Sequence, residues 1–276
     1  MLGALLMVGV TACTNDDLPL QDNPVADQGK TTITALTPQG GSRVAIEDDG
    51  QAINLNWKSG DQFSLIVDIK GLQPGGYYYF NYTNYTFEYK EGNEFTGSSA
   101  INGGTEFMAF YPATGEYWRF PSQIYAYSLA SQTGTLDESK TYMYAQNLTD
   151  ATHVDVLEFK HLTSILKATF TLNGADITSQ LTQVKLTLPD NAIVSGPFDL
   201  TLQDVVITKE GENVITVTPE NLNYLYIYLP RGIVQNDVIN VEAMADNNSY
   251  SGTLTAKKNI EVGKVYPAEV ELTQTP

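Results

Sequence analysis

Apolar and polar residues alternate with a period of two along most of this chain, the spacing of strands whose two faces differ in exposure. Alternating, β-branched or aromatic runs predict strands at 31–37, 53–57, 62–69, 77–82, 86–89, 106–111, 123–127 and 141–145. The same signal continues at 154–160, 164–172, 184–188, 214–218, 224–229, 238–245, 250–256 and 265–272. Between these runs lie turn residues, among them Gly40-Gly41, Asp48-Asp49-Gly50, Ser59-Gly60-Asp61, Pro74-Gly75-Gly76 and Asp246-Asn-Asn248. No stretch carries helical periodicity long enough for a four-turn helix. Many short strands punctuated in this way predict an all-β protein made of β-sandwiches, and no fixed repeat suggests a solenoid or propeller. The polar stretch Gln146–Thr152 is the best place to divide the chain. It leaves an N-terminal domain over 31–148 and a C-terminal domain over 149–276, each at about 120 residues large enough to bury its own core.

The N-terminus departs from this pattern. Residues 2–12 are apolar or small and uncharged, too short a run to span a bilayer and the right length for the core of a signal peptide. Val10-Thr-Ala-Cys13, which ends the run, resembles a bacterial lipobox, in which the signal is cut before the cysteine and the thiol takes a diacylglycerol. On that reading residues 1–12 are the signal and Cys13 is the lipidation site. Thr14-Asn-Asp-Asp17 resembles the acidic export signal of Bacteroidota surface lipoproteins, which implies an outer-membrane lipid anchor with the protein facing outward. Residues 13–30, polar and with Pro19 and Pro24, suit a flexible tether.

Composition narrows the function. With 32 Asp and Glu against 15 Lys and Arg, the formal charge is -17, and the scattered cations offer no basic face for a nucleic-acid backbone. Hydrophobic residues make up 42% of the chain and charged ones 17%, so the acidity belongs to a folded protein. One Cys and two His allow neither a disulfide framework nor a Cys/His zinc site. His161 falls in a polar break between two predicted strands, where a solvated or hydrogen-bonded ring is expected. The acidic turns lack the ligand spacing of a calcium loop. No cofactor and no catalytic residue is assigned, since no GxSxG, HExxH or Gly-rich phosphate loop occurs. A glycosidase needs just two carboxylates, and that class stays open from sequence alone.

Several local signatures occur in a recognisable order: Ser42-Arg43-Val-Ala-Ile46, Leu55-Asn-Trp57-Lys-Ser-Gly60-Asp61-Gln-Phe63, Phe107-Met-Ala-Phe110-Tyr111-Pro112, Leu157-Glu-Phe159-Lys-His161-Leu162 and Val262-Gly263-Lys264-Val-Tyr266. Each has a local physical reading: Trp57 is a buried aromatic before a Gly60 turn, and Pro112 stops a strand. In this order they resemble the fimbrillin-like lipoproteins of Bacteroidales, the major and minor fimbrial subunits and their accessory proteins. The resemblance implies two tandem transthyretin-like, Greek-key sandwiches. It also implies assembly by strand exchange, in which a protease cuts after an Arg near the N-terminus, the first strand leaves, and a strand of another subunit fills the groove.

Here the first strand is 31–37 and the implied cut falls between Arg43 and Val44, in a loop loosened by Gly40 and Gly41. The other reading of Arg43 is an ordinary strand-start residue that is never cut. After 265–272 no further strand is expected for donation to a neighbour. Eight aromatics fall between Tyr77 and Tyr89. Tyr78, Tyr82 and Tyr85 are candidate adhesive rings for a host glycan or protein, although paired rings on a sandwich strand account for them as well. The expected role is a fimbrial subunit or tip adhesin, with a surface glycan-binding lipoprotein as the alternative.

Overall fold

A computed structural model of the chain describes residues 31–37, 47–48, 53–54, 57–72, 78–97, 106–113, 123–147, 156–199, 206–207 and 209–276. From the N-terminus the strands are β1 (Thr31–Leu36), β2 (Glu47–Asp48), β3 (Ile53–Asn54), β4 (Gln62–Leu72), β5 (Tyr78–Glu91), β6 (Glu94–Gly97), β7 (Glu106–Tyr111), β8 (Gln123–Ser128), β9 (Ser131–Gln132), β10 (Met143–Asn147) and β11 (Val156–Glu158). They continue as β12 (Lys160–His161), β13 (Thr163–Leu172), β14 (Ala175–Asp176), β15 (Gln183–Thr187), β16 (Ser195–Asp199), β17 (Val206–Ile207), β18 (Val214–Val217), β19 (Leu225–Pro230), β20 (Val238–Ala245), β21 (Asn248–Thr255) and β22 (Val265–Gln274). Two short 3-10 turns are the remaining regular elements among the described residues, and none of these contains a helix long and apolar enough to cross a membrane.

The all-β expectation holds, with two large sheets that fit two sandwich-like units. Strands β11-β1-β6-β5-β4-β7-β10-β12 form one and β14-β13-β22-β21-β20-β15-β18-β9 the other, with β19 also paired to β13. The end strands of the first sheet, β11 and β12, are separated by Phe159 alone, so one short piece of chain joins both edges and the sheet curls on itself. Inside it Trp57, Phe63, Phe87, Phe95 and Phe159 are fully buried, and the rings of Phe63 and Phe87 stack at 5.2 Å.

In the second sheet the burial of β20 alternates strictly, as its sequence does. Strand β13 is buried at most positions, and β19 and β22 pair along its two edges. Two stretches of chain pair across the interval between residues 148 and 155: β11 and β12 join the first sheet, while β9 pairs β18 and β8 pairs β16.

Two expected strands, 77–82 and 86–89, are one long strand, β5, whose register against β4 runs unbroken from Tyr78 to Glu88. The polar residues Asn81, Thr83 and Asn84 do not interrupt it, because β4 supplies ladder partners throughout. Strands β2, β6, β9, β14, β16 and β17 were not anticipated, and β2 overlaps the expected Asp48-Asp49-Gly50 turn. Each spans five residues or fewer, too short for alternation to register.

Candidate functional site

Alternation in Thr31-Thr-Ile-Thr-Ala-Leu36 puts Ile33 and Ala35 on one face, and both are completely buried, with Thr32 exposed on the other. Strand β1 is hydrogen-bonded along both edges. On one side it runs antiparallel to β6, from Thr31 opposite Gly97 to Thr34 opposite Glu94. On the other it runs parallel to β11, from Thr34 opposite Val156 to Leu36 opposite Glu158. The Ala35 amide donates to the Asn93 carbonyl at 2.8 Å, and the Phe159 amide donates to the Leu36 carbonyl at 2.9 Å. The first strand among the described residues is thus an insert between two strands contributed by much later residues.

A side chain from outside the ladder also holds it. The indole Nε1–H of Trp57 donates to the Ala35 carbonyl at 2.7 Å, in a fully buried position. Trp57 meets Phe95, Tyr111 and Phe159 edge-on with centroids 5.0, 5.1 and 5.4 Å away, the geometry that ring quadrupoles favour. After it, the chain turns at Gly60, whose φ of 94° suits glycine. The turn returns Asp61 into the fold. Its carboxylate accepts from the Lys58 amide at 2.7 Å and from the Tyr111 hydroxyl at 2.9 Å. Burial raises the Asp61 pKa above its ordinary 3.8, and the Lys58 and Tyr111 hydrogen bonds act against that rise. Burial, and then the facing Asp61 charge, hold Tyr111 neutral well above the ordinary tyrosine range. The Trp-Lys-Ser-Gly-Asp signature is therefore a clamp that bears on β1 from within the core.

Cys13, Arg43 and Val44 lie outside the described residues. Tyr78, Tyr82 and Tyr85 lie on β5 opposite Leu72, Asp68 and Leu65 of β4. Positions 78 and 82 share one parity of the strand and 85 has the other, so a period of two does not collect all three on one face. His161 is buried on β12, where Met143 of β10 is its neighbour, and does not lie in a solvated break. Among the described residues no group of three metal-ligating side chains occurs. The function of Trp57 in holding β1 was not visible in the sequence; the signal available was an aromatic followed by a turn.

A family model described as fimbrillin-like matches residues 42–276. No curated protein matches the chain. Among solved structures, a candidate cell adhesion protein from Bacteroides ovatus has a TM-score of 0.53 at 18% identity, with 90% of this chain and 97% of that one covered. A second candidate cell adhesion protein, from Bacteroides uniformis, has a TM-score of 0.50 at 12% identity over 90% and 98% of the two chains. At these identities the structures are similar in fold. The family match covers most of the chain, from the residue before Arg43 to its end, and by it this protein belongs to the fimbrillin-like family.

Proposed function

We propose that the protein is a fimbrial subunit or accessory subunit, exported as a lipoprotein on Cys13 to the outer face of the outer membrane and assembled by β-strand exchange after a cut between Arg43 and Val44. Membership of the fimbrillin-like family supports the fimbrial role. The observation that carries the mechanism is the position of β1. It is hydrogen-bonded on both edges, and Arg43 follows it before the chain reaches β2. A cut there leaves β1 joined to the main body by non-covalent contacts alone.

Departure of β1 would leave ladder groups of β6 and β11 unpaired above the buried Trp57, Phe95 and Phe159. A strand from another subunit with apolar residues at alternate positions satisfies both demands at once. The proposed cut falls one residue after the start of the family match at Ser42 and after β1. The role is structural and needs no catalytic residue or cofactor.

The test is limited trypsin treatment of the lipid-free protein. It should give a stable species beginning at Val44, followed by SDS-resistant oligomers, and Arg43→Gln should yield neither. A cut species that keeps β1 and stays monomeric, or oligomers formed equally by the Arg43→Gln variant, would overturn the mechanism.

A further inference from the structure

The second sheet has a seam. Strands β21 and β22 are paired at Tyr250–Gln274 and Ser251–Thr273 and nowhere else, yet both continue well past these pairs. On its other side β21 is paired to β20 along its whole length, and β22 to β13 from Val265 to Leu272. The direction of the spare main-chain groups follows from three bonds. The Thr275 amide donates to the Ser249 carbonyl, the Ala256 amide to the Asp237 carbonyl, and the Ile165 amide to the Lys264 carbonyl. Because these directions alternate along a strand, Thr253 and Thr255 of β21 aim their N–H and C=O groups at β22. Val265 and Glu269 of β22 aim theirs at β21, and Pro267 contributes a carbonyl. Among the described residues these groups have no ladder partner.

Between the two edges lies a cleft of about 1100 Å³. Leu166, Leu229 and Ile239, which belong to the core, form part of its lining. Lys257, Lys258 and Lys264 also line it, beside Glu261 and Glu269. They are three of 15 cationic side chains in a chain of net charge -17, and none of the three is in a salt bridge among the described residues. Lys258 lies 5.2 Å from the centre of the Tyr266 ring.

From this geometry we infer a second strand-accepting site, one that needs no proteolysis: the cleft binds an extended segment of a partner polypeptide, with apolar residues at alternate positions and carboxylates at one end. Two facing rows of donors and acceptors repeat every two residues, about 6.6 Å. That repeat matches a peptide backbone and has no counterpart in an acyl chain or a sugar. The apolar floor takes every second side chain. The lysines select an acidic end and exclude a basic one.

The uncut protein carrying Arg43→Gln keeps the test separate from leader-strand exchange. The probe is a fluorescein-labelled eight-residue peptide with valine at alternate positions and two aspartates at one end, read by anisotropy and by amide hydrogen exchange. Saturable binding is expected, with exchange at Thr253, Thr255 and Glu269 slowed at least tenfold. A lysine-ended peptide should bind at least tenfold more weakly, as should the acidic peptide to a Lys257→Glu, Lys264→Glu double variant. Absence of saturable binding, protection confined to other edges such as β6 and β11, or affinity indifferent to both charge changes would overturn the proposal.

Discussion

Trp57 is joined to β1 by a hydrogen bond and to β6, β7 and the Phe159 link by T-shaped ring contacts. Trp57→Phe removes the bond to Ala35 and leaves a gap, which should cost roughly 2–4 kcal/mol in urea unfolding. The same change should speed exchange of the β1 amides. Asp61 supplies a pH signature. Its pKa is raised in the folded state, so the folded protein holds this proton more tightly than the unfolded chain does. The resulting stabilisation is present below 3.8 and is lost as pH rises through the higher folded value. The stability of the wild type relative to Asp61→Asn should therefore increase as pH falls from neutral, measured by urea unfolding across that range; an unchanged difference would remove burial of the charge as the cause. At Gly263 the φ is 75°, and an added Cβ would come within 2.6 Å of the His161 ring. Gly263→Ala should cost about 1–3 kcal/mol by thermal unfolding. The Gly263 of the closing signature was legible in sequence, but its reason was not, because the contact is with a residue a hundred positions earlier.

At the level of elements, the decisive feature is which strands sit next to which. Alternation located β20 with its observed bounds, since that strand has one face in and one face out, and the bounds expected for β7 match as well. It could not rank β1 as an interior strand, because both its neighbours come from elsewhere in the chain. The place of β9, at the end of the second sheet beside β18, was not legible either. Its Gln132 is buried, donates to the Leu129 and Tyr228 carbonyls at 3.0 and 2.9 Å, and accepts from the Tyr228 amide at 2.8 Å. One amide side chain thus completes the main-chain bonding of β19. Gln132→Ala leaves those buried groups unpaired, and a loss of roughly 3 kcal/mol is expected in chemical denaturation. The Gln132→Glu variant should fare no better, because a carboxylate cannot donate to the two carbonyls. Burial raises the Tyr228 hydroxyl to about 12, and it accepts from the Asp137 amide at 3.0 Å, so the loop after β9 is pinned twice to the same strand.

Over the whole molecule, the exchange of strands across residues 148–155 ties the early and late parts of the chain together. Segment 123–132 pairs with late strands, and 156–161 with early ones. A protease site inserted between Thr149 and Asp150, cut after folding, should leave two fragments that co-elute in size exclusion until denaturant is added; fragments that part under native conditions would contradict this. The net charge of -17 acts at the same scale, where it favours solubility and discourages accidental edge pairing. Fold class, the approximate place of the longer strands and membership of the family were readable along the chain, because the two-residue period, turn chemistry and the order of short signatures are properties of neighbouring residues. The enclosure of β1, the clamp by Trp57, the opened seam between β21 and β22 and the crossing strands were settled by folding alone. Each is a pairing between segments far apart in the chain, and a period-two pattern states which face of a strand is buried without stating which strand lies beside it.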